Sequence, residues 1–411
     1  MKGIAFSAYY EPEIASSMYL TINLYEDIVK AGIEMDLFVP LPTRGVSDEV
    51  RNKYKKIKKE YKFDNKLKIH RIFLPKESKN ILLRTFRYIL MNILFILKGI
   101  SVSADFIFVQ STPPTQGAMA AILKKIKNIP VIYNLQDVFP DSLVGTGITN
   151  EGTFIYKVGQ ALEKYTYNNV DKIIVISKDM KENLLNKGVD ENKIIIIRNW
   201  IDQKVVKPIQ KNDNYFFDKF KISRDRFNVV YAGNLGYAQN IEIILDAAKK
   251  LQEYRNIQFL IFGRGHKEND LKQLANNMNL KNLSFYPFQP FDEVSYIYGL
   301  ADVSLVTCNK GLGGSAMPSK MWSILATGTP VIASFDSNTE LEKIIKKYEL
   351  GQFGEANNVK QLVDNILFMY NNQEKMDEYK YNSLHYINLY ANRTKATQNY
   401  IQLIKSTNLI I

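Results

Sequence analysis

Residues 311 to 334, GLGGSAMPSKMWSILATGTPVIAS, join a loop of small residues, one lysine, a short helix and a buried strand. The small residues at 311–315 let backbone N–H groups approach an anion, and a helix that begins near Pro318 would direct its positive end toward the same anion. Lys320 would add a full positive charge. This order of residues predicts a phosphate-binding site. The alternative is an ordinary helix-to-strand connection of an α/β domain.

Two further glycine-containing loops follow predicted strands. In VVYAGNLGYAQNIEIILDAAKKL, a strand leads into a turn bounded by Gly233 and Gly236 and then into a helix. Such a turn at a helix N-terminus can hold a diphosphate, although a simple tight turn has the same pattern. The next predicted strand, FLIFGRG, ends in the flexible sequence 263–265. Three loops in this half of the chain therefore allow a backbone to approach a phosphate.

Length and composition restrict the class of protein. A chain of 411 residues with 46% hydrophobic residues is long enough for two or three domains with sizeable cores. The single cysteine, Cys308, excludes an internal disulfide framework, and the three histidines, His70, His266 and His385, are too scattered to indicate a metal cluster. The N-terminal residues show no signal peptide. We expect a protein of the reducing cytoplasm that binds no metal.

The positive charge is concentrated in one window of the sequence. Residues 51–100 hold 15 Lys and Arg against 3 Asp and Glu, so their net charge of +12 equals that of the whole chain. The basic part, RNKYKKIKKEYKFDNKLKIHR, precedes the apolar segment ILLRTFRYILMNILFILKGI. The longest uncharged run of that segment, Tyr88 to Leu97, is too short to span a bilayer.

A basic face beside an apolar helix is typical of a protein that rests on an anionic membrane surface. Each basic residue close to the lipid contributes roughly 1 kcal/mol to such binding. Nucleic acid is a second possible partner, but no nucleic-acid-binding motif accompanies the charge. The third interpretation is a solvated basic loop followed by a core helix. We favour the membrane.

Predicted strands alternate with predicted helices along most of the chain, which indicates parallel sheets with helices on both faces. The predicted strands span residues 3–7, 35–39, 69–73, 106–110, 131–135, 172–177 and 193–198 in the first half and 228–232, 258–262, 283–286, 303–306 and 331–334 in the second. We interpret the polar stretch 199–226 as an interdomain linker and the lead-in to the second domain. The predicted fold class is α/β, with two doubly wound, Rossmann-like domains, 1–205 and 206–385, facing a cleft. A last helix is predicted at about 382–405.

The second half of the chain resembles the nucleotide-binding domain of the GT-B glycosyltransferases, in particular the retaining enzymes of family 4 and their branch that builds surface polysaccharides. That family has a YAG(N/R)-type loop, a strand with G-x-G, a helix ending in AD and a loop leading to AxGxPVIA, and each part is present here in this order. In the first half, YYEPEIASS is similar to the family's acceptor-side loop, LQDVFPDS to a D-x-W-P-E segment, and DKIIVISKDMKENLLNKGVDENKIIIIRNWID to its interdomain approach. The resemblance implies the GT-B fold and a C-terminal helix, residues 386–411, that packs back on the first domain.

The chain departs from the family at residues that would bind the donor. In the register set by Gly328, the two glutamates of the family's E-x7-E motif fall on Ser315 and Ser323. The Arg and Lys of the family's diphosphate loop are replaced by residues around Asn234 and at 239–240. Lys320 and Arg264 are the best remaining cations for a diphosphate. The donor site implied by the resemblance consists of Gly233, Asn234, Gly236, Arg264, Pro287, Phe288, Gly314, Ser315, Ser319, Ser323 and Glu340, the last either replacing a lost carboxylate or lying at the surface at a helix start.

Charge development determines the mechanism that we expect. Breaking a sugar–phosphate bond puts negative charge on the leaving diphosphate, so donors directed at it stabilise the transition state, and neither a metal nor a cofactor is required. Residues 233–236, Ser315, Ser319 and Lys320 are the candidates for that role. The resemblance implies retention of configuration, with the leaving phosphate helping to take the acceptor proton.

Acidic residues of the first domain are the candidates for the acceptor side. Asp137 and Asp141 follow the predicted strand 131–135, and Asp137 is expected to orient or deprotonate the acceptor, with helix capping as the alternative for both. Glu11, Glu13 and Ser16 follow the first strand and are weaker candidates, because Glu-Pro is also common in turns.

These observations lead to a hypothesis of sugar transfer at a membrane. The donor is expected to be a nucleotide diphosphate sugar, with UDP and an N-acetylated amino sugar or deoxy sugar suggested by the branch. The acceptor is expected to be a lipid-linked (polyprenyl diphosphate) sugar or polysaccharide precursor of capsule or lipopolysaccharide, at the inner face of a bacterial membrane. The alternatives are a nucleotide-sugar 2-epimerase of the same fold and a non-catalytic, membrane-bound scaffold with a degenerate sugar-nucleotide site.

Overall fold

A computed structural model describes residues 1–13, 18–78, 80–145, 149–315 and 317–407. The chain forms two compact units. The first contains residues 1–140, 150–198 and 394–411, and the second contains residues 141–149 and 199–393. Each unit is built around one sheet.

The first sheet has eight strands in the order β3-β4-β2-β1-β5-β6-β7-β8. All neighbouring strands are parallel except β3 and β4, which are antiparallel. The strands are β1 Lys2–Phe6, β2 Glu34–Pro40, β3 Lys59–Lys62, β4 Leu67–Ile72, β5 Phe106–Gln110, β6 Val131–Leu135, β7 Lys172–Val175 and β8 Ile194–Ile196. The helices of this part of the chain are α1 Met18–Lys30, α2 Asp48–Lys55, α3 Ile81–Ile100, α4 Thr115–Lys127, α5 Asp141–Gly145, α6 Phe154–Asn169 and α7 Lys178–Asn186.

The second sheet has six parallel strands in the order β11-β10-β9-β12-β13-β14. The strands are β9 Phe227–Asn234, β10 Ile257–Arg264, β11 Leu283–Tyr286, β12 Val303–Thr307, β13 Val331–Phe335 and β14 Gly351–Glu355. The helices are α8 Phe216–Lys219, α9 Glu242–Lys250, α10 Glu268–Asn277, α11 Val294–Tyr298, α12 Lys320–Ala326, α13 Glu340–Lys347, α14 Val359–Asn371, α15 Met376–Tyr390 and α16 Arg393–Thr407.

Local sequence explains why these elements form where they do. The central strands are continuous apolar runs that are buried, as expected for parallel sheets covered on both faces. Several helices begin after a hydroxyl side chain that accepts a hydrogen bond from the backbone three residues later: Ser47 before α2, Thr153 before α6, Ser177 before α7 and Thr339 before α13. Gly328 ends the segment after α12 with φ +73°, a left-handed conformation that glycine adopts readily.

The predicted fold class is confirmed, with three local differences. Two strands, β3 and β14, were not predicted, because KEYK is polar and GQFGE contains two glycines. The predicted C-terminal helix is two helices, α15 and α16, separated at Ala391 and Asn392. The second of these belongs to the first unit, where the Tyr400 ring contacts Phe108 and its hydroxyl donates to Asn134 Oδ1 over 3.1 Å.

The stretch 199–226 is not an extended linker. It belongs to the second unit, and it contributes the buried side chains of Trp200, Val206 and Phe216. Polar residues dominate its sequence, but the few apolar ones are enough to pack it against the second sheet's domain. The predicted lead-in to the second domain, from residue 206 on, therefore lies in the second unit, together with residues 199–205.

Candidate functional site

The second sheet has a topological switch point between β9 and β12. The chain crosses from β9 to β10 and β11 on one side and returns to β12 on the other, so the loops after β9 and β12 diverge at the carboxyl edge. Ligands of doubly wound sheets bind at such a point. The two loops are joined here, since the Asn309 N–H donates to the Ala238 carbonyl over 2.9 Å and the Thr307 hydroxyl donates to the Gln239 carbonyl over 2.5 Å.

Lys320, the first residue of α12, places its ammonium group at this switch point. The Nζ atom lies 3.7 Å from the centre of the Tyr231 ring and 3.1 Å from the position that a Cβ would take at Gly233. Gly233 has φ +149°, which a residue with a side chain rarely adopts. The Nζ atom is buried, and among the described parts of the chain it has no hydrogen-bond partner. A buried cation without a partner is costly, and an anionic ligand would supply the missing partner.

Burial changes the acid–base behaviour of Lys320. Loss of hydration lowers the pKa of its ammonium group to about 7, and the nearby Cys308 thiol opposes this shift. The thiol itself is buried, and desolvation raises its pKa. In the absence of a ligand, Lys320 therefore exchanges its proton near neutral pH. A neighbouring anion would favour the charged form.

The small-residue loop before α12 already holds an anion, which is the carboxylate of Asp336. The Gly311 N–H lies 3.0 and 2.8 Å from its two oxygens, and the Gly313 N–H lies 2.8 Å from one of them. The Ser315 N–H donates to the Leu312 carbonyl over 3.0 Å. These three amides are therefore not directed at an external phosphate, which corrects the expectation for this loop. Asp336 follows β13 and was not among the predicted residues.

The remaining predicted residues of this stretch differ in their exposure. Gly314 is exposed, and Ser319 is half-buried and directly precedes α12. Ser315 and Ser323, which take the places of the E-x7-E glutamates, are buried with 5% exposure each. Both side chains are small and buried within the second domain. Two glutamates at these positions would place two carboxylates in the same buried surroundings.

The G-x-G sequence at the end of β10 lies beside the end of β9 and the loop that follows it. A Cβ at Gly263 would be 2.2 Å from the Gly233 carbonyl oxygen, and a Cβ at Gly265 would be 2.3 Å from the Leu235 carbonyl oxygen. Only glycine allows this approach. Arg264 pairs in register with Asn234, so both residues lie at the carboxyl edge of the sheet and both are exposed.

The Arg264 guanidinium also contacts the loop after β11. It lies 4.5 Å from the centre of the Phe288 ring, and Phe288 is 37% exposed beside the exposed Pro287. A cation stacked on an exposed ring offers one charged and one flat apolar surface. The structure thus brings together Arg264, Pro287 and Phe288, which the sequence placed on separate loops.

Two predictions about the donor loops need correction. The turn at Gly236 does not lead directly into a helix, because a 3-10 turn at Tyr237–Gln239 intervenes before α9 begins at Glu242. Glu340 does begin a helix, α13, but it is buried with 4% exposure and is not a surface residue. Thr339 caps this helix and packs against Gly313, which draws the start of α13 toward the loop.

The first domain places Asp137 on the loop after β6. Gln136 is held by a hydrogen bond from its N–H to the Ser111 hydroxyl over 3.0 Å, and Val138 is fully buried, whereas Asp137 between them is exposed. Although the residue is exposed, the protein around it reduces the hydration of its carboxyl and thereby raises the pKa. No hydrogen bond or ion pair to its carboxylate occurs among the residues that the structure describes. An accessible carboxylate with a raised pKa can act as a base.

Comparison with known proteins identifies the family. Residues 213–385 match the Glycosyl transferases group 1, and residues 19–205 match Glycosyltransferase Family 4. The chain belongs to these glycosyltransferases. It is 26% identical over 230 residues to the putative colanic acid biosynthesis glycosyl transferase WcaI of Escherichia coli (strain K12), a match that covers 55% of this chain and 56% of that protein. The chain thus aligns with little more than half the length of this relative.

Solved structures show that the fold of this glycosyltransferase chain is GT-B. Sucrose-phosphate synthase from Thermosynechococcus elongatus has a TM-score of 0.80 at 15% identity, over 100% of both chains. Anabaena HepE, solved in complex with UDP-glucose, has a TM-score of 0.73 at 12% identity, over 99% of this chain and 100% of that one. At these identities the similarity concerns the fold alone.

The other acidic candidates of this glycosyltransferase chain have structural partners. Glu13 is 4% exposed, and its carboxylate accepts hydrogen bonds from the N–H groups of Tyr10, Thr43 and Arg44. Its predicted contact with an acceptor is therefore corrected to a role in holding two loops together. Glu11 forms an ion pair with Lys62.

Asp141 and Ser16 complete the predicted acceptor side. Asp141 is the first residue of α5, where an acidic side chain favours the positive end of a helix. The helix-capping alternative therefore fits Asp141 better than it fits Asp137. Ser16 lies outside the described residues.

A polar network that the sequence did not predict lies at the carboxyl edge of the first sheet. The Arg44 guanidinium donates to both carboxylate oxygens of Glu77, over 3.0 and 2.9 Å, and stacks 3.9 Å from the centre of the Tyr9 ring. The Tyr88 hydroxyl donates to Glu77 over 3.0 Å and lies 2.8 Å from the Tyr9 hydroxyl. The network joins the loop after β1 to α3. Apart from Glu77 and Tyr88, which are 11 residues apart, its members are 33 to 79 residues apart in sequence, so no local pattern could have revealed it.

Proposed function

We propose that the protein is a retaining glycosyltransferase that transfers a sugar from a UDP-sugar to a lipid-linked acceptor of surface-polysaccharide synthesis. The buried ammonium group of Lys320, without a partner among the described residues and beside the bare backbone of Gly233, carries this proposal. A diphosphate placed there receives a full charge in a low-dielectric position. The UDP-glucose in the HepE complex and the name of the WcaI relative support the donor and the pathway. An N-acetylated amino sugar or deoxy sugar remains our choice for the transferred group.

The proposed mechanism assigns a task to residues of each domain. Lys320 and the Gly233–Gly236 loop stabilise the negative charge that develops on the leaving diphosphate, and Arg264 adds a second cation. Phe288 and Pro287 contact the base. Asp137 orients the acceptor hydroxyl or removes its proton, with the leaving phosphate assisting from the same face of the sugar. No metal or other cofactor takes part in this scheme, and excess EDTA is expected to leave the rate unchanged.

We expect UDP to stabilise the protein against thermal unfolding. A ligand that binds only the folded state at 100 times its Kd adds about 2.7 kcal/mol, which raises the melting temperature by several degrees. Differential scanning fluorimetry with UDP, GDP and ADP measures this, and UDP should give the largest shift. If none of the three nucleotides changes the melting temperature, the proposed donor site is wrong.

Donor binding is expected to take up a proton. The free protein holds Lys320 with a pKa of about 7, and a bound diphosphate raises that pKa, so affinity is highest below pH 7 and falls as the pH rises above it. Titration calorimetry of UDP-glucose at pH 8, in two buffers of different ionisation enthalpy, reports the protons exchanged. UDP-glucose is suitable because its phosphates do not titrate near this pH. Lys320→Arg, which stays charged, should bind without proton uptake, and equal heats in both buffers for the wild type would contradict the prediction.

Helix α3 offers the surface for the proposed membrane attachment. One side of this helix is buried through Arg87, Met91 and Phe95, while the opposite side exposes large apolar side chains: Leu82, Leu83, Phe86, Ile89, Ile93, Leu97 and Ile100, each between 44% and 79% exposed. An exposed apolar stripe of this length is unusual for a protein in water. None of the helices in the described parts of the chain is long and apolar enough to cross a bilayer. The helix is therefore proposed to lie in the membrane interface, with the basic residues of α2 and β3 near anionic lipid.

We expect the double variant Leu83→Gln/Phe86→Gln to lose most of its membrane binding. Removing two apolar side chains from the interface should reduce partitioning on the order of tenfold or more. Sedimentation with vesicles of phosphatidylglycerol and phosphatidylcholine at low and high salt measures this, and high salt should weaken the wild type. Leu274→Gln, an exposed leucine on α10 of the other domain, is the control. Vesicle binding that does not depend on salt, on lipid charge or on the double substitution would rule out this attachment.

The absence of the E-x7-E glutamates favours one other function. With Ser315 and Ser323 buried at those positions, a protein that binds a sugar nucleotide without transferring the sugar is the second candidate. Release of UDP from a UDP-sugar in the presence of membrane lipids distinguishes the two, because a scaffold binds the donor and releases none.

A further inference from the structure

Two buried arginines donate hydrogen bonds to the loops after β2 and β4. Arg51 is 4% exposed, and its guanidinium donates to the carbonyls of Pro42 over 2.7 Å and Leu74 over 2.6 Å. Arg87 is 2% exposed, and its Nε donates to the Pro75 carbonyl over 3.0 Å. The two loops follow β2 and β4, neighbouring strands of the first sheet. Both arginines therefore lie at the carboxyl edge of that sheet.

The Arg87 guanidinium has unused hydrogen-bond donors. Its Nη1 and Nη2 atoms are buried and have no partner in the parts of the chain that the structure describes. Burial and the positive charge of Arg87 both lower the pKa of Arg51, so the two groups repel each other. Buried charges are normally paired, and an anion that joined the two arginines would offset their repulsion.

The carboxylates that act on this pair are bound elsewhere. Glu13 accepts hydrogen bonds from the Tyr10 and Thr43 backbone, and Glu77 accepts them from Arg44 and Tyr88. Neither carboxylate forms a hydrogen bond with Arg51 or Arg87 among the described contacts. Asp48, which also acts on Arg51, forms an ion pair with Lys76. With Arg44 and Lys76, the region holds four cations against the three carboxylates of Glu13, Asp48 and Glu77, which leaves one positive charge in excess.

Exposed apolar side chains lie on the loop after β4 and in the first turns of α3. Phe73 on the loop after β4 is 68% exposed, and Leu82 and Leu83 in the first turn of α3 are 79% and 61% exposed. Phe86, which is 62% exposed, directly precedes the buried Arg87. Leu83 lies four residues before Arg87, so this exposed apolar side chain and the buried cation are neighbours on the helix surface. A ligand that joins a phosphate to a hydrocarbon chain matches this arrangement.

We propose that Arg87 and Arg51 bind the diphosphate of the lipid-linked acceptor, with its hydrocarbon chain along the exposed side of α3. The inference rests on the proposed function, which supplies an acceptor of this kind. A guanidinium presents its N–H groups in a planar fork that fits two phosphate oxygens. Because the Nη atoms are covered, the loop 74–77 has to move aside when the phosphate enters.

The experiment uses farnesyl diphosphate as the probe, with the full chain held in saturating UDP so that the donor site is occupied. Calorimetry compares the wild type with Arg87→Gln, and Arg84→Gln is the control because it removes the same charge three residues earlier on the same helix. We expect Arg87→Gln to bind roughly 10- to 100-fold more weakly, and Arg84→Gln to bind like the wild type. Farnesol, which lacks the phosphates, should bind weakly to all three.

A second variant keeps the test decisive if Arg87→Gln does not fold. Arg87→Lys retains the charge but loses the fork, and it should weaken binding several-fold. Equal affinities of the wild type, Arg87→Gln and Arg84→Gln for farnesyl diphosphate would overturn the proposal. So would a loss of binding to phosphatidylglycerol vesicles without a loss for farnesyl diphosphate, which would assign the arginines to a phospholipid headgroup.

The two proposals fail in different ways. If UDP does not bind at all, the donor site is wrong, and the titration of farnesyl diphosphate without UDP still compares Arg87→Gln with Arg84→Gln. If UDP binds and farnesyl diphosphate does not, the donor site stands and the arginine site is overturned.

Discussion

Replacing Lys320 by methionine is expected to lower the rate of UDP release from a UDP-sugar on the order of 100-fold or more. The ammonium group lies in a buried position where charge interacts strongly, and the leaving diphosphate gains negative charge in the transition state. Methionine fills a similar volume, so the packing over Tyr231 is kept while the charge is lost. Steady-state kinetics with the best donor from a panel of UDP-sugars measures the effect.

The control for this substitution is Lys310→Met. Lys310 is exposed and lies on the same loop before α12, so it tests whether any lysine near the site matters. Lys320→Arg should retain part of the rate, since it keeps the charge in an altered geometry. If Lys320→Met transfers sugar as fast as the wild type, Lys320 does not contact the diphosphate.

We expect Asp137→Asn to lose sugar transfer by roughly 100- to 10,000-fold, the range over which a positioned acid or base accelerates proton transfer. The amide has the same shape as the carboxylate but cannot accept the acceptor proton. Because Asp137 is exposed and forms no hydrogen bond within the described residues, the folded state should be little affected. The rate of UDP release, measured with and without acceptor, shows whether the substitution affects only the acceptor-dependent step.

Donor binding distinguishes a direct role of Asp137 from a general disturbance. UDP affinity should be unchanged in Asp137→Asn, and only acceptor-dependent turnover should fall. Glu151→Gln removes the charge of another exposed carboxylate and serves as the control. A variant that keeps full transfer activity would leave the deprotonation entirely to the leaving phosphate.

Sequence reasoning predicted well those elements whose local residue pattern matches the surroundings that they have in the folded protein. Strands 106–110, 131–135 and 283–286 have the predicted bounds, because each is a short run of apolar or β-branched residues between turns. Strand β3 could not be predicted this way, since its alternating charges indicate a solvated segment and only pairing with β4 makes it a strand. Its formation depends on the neighbour and not on its own residues.

The residues of the candidate site likewise divide into those that a local sequence pattern reveals and those that only the folded structure reveals. Lys320 and Asp137 were found because a single charged residue after a strand or at a helix start is visible in the sequence. Asp336 was missed, because its function is a contact with glycines 23 to 25 residues earlier. Arg87 was missed because an arginine in an amphipathic helix is usually solvated, and only the structure shows it to be buried.

The carboxylate of Asp336 gives the loop at 311–313 its shape before any donor arrives. A glycine-rich loop normally loses much conformational freedom when it closes around a phosphate, and that loss weakens binding. Here the Asp336 carboxylate already orders the backbone, so the donor binds beside a preformed loop. Asp336→Ala would loosen this loop. The substitution is therefore expected to slow donor association while the charge that Lys320 contributes is retained.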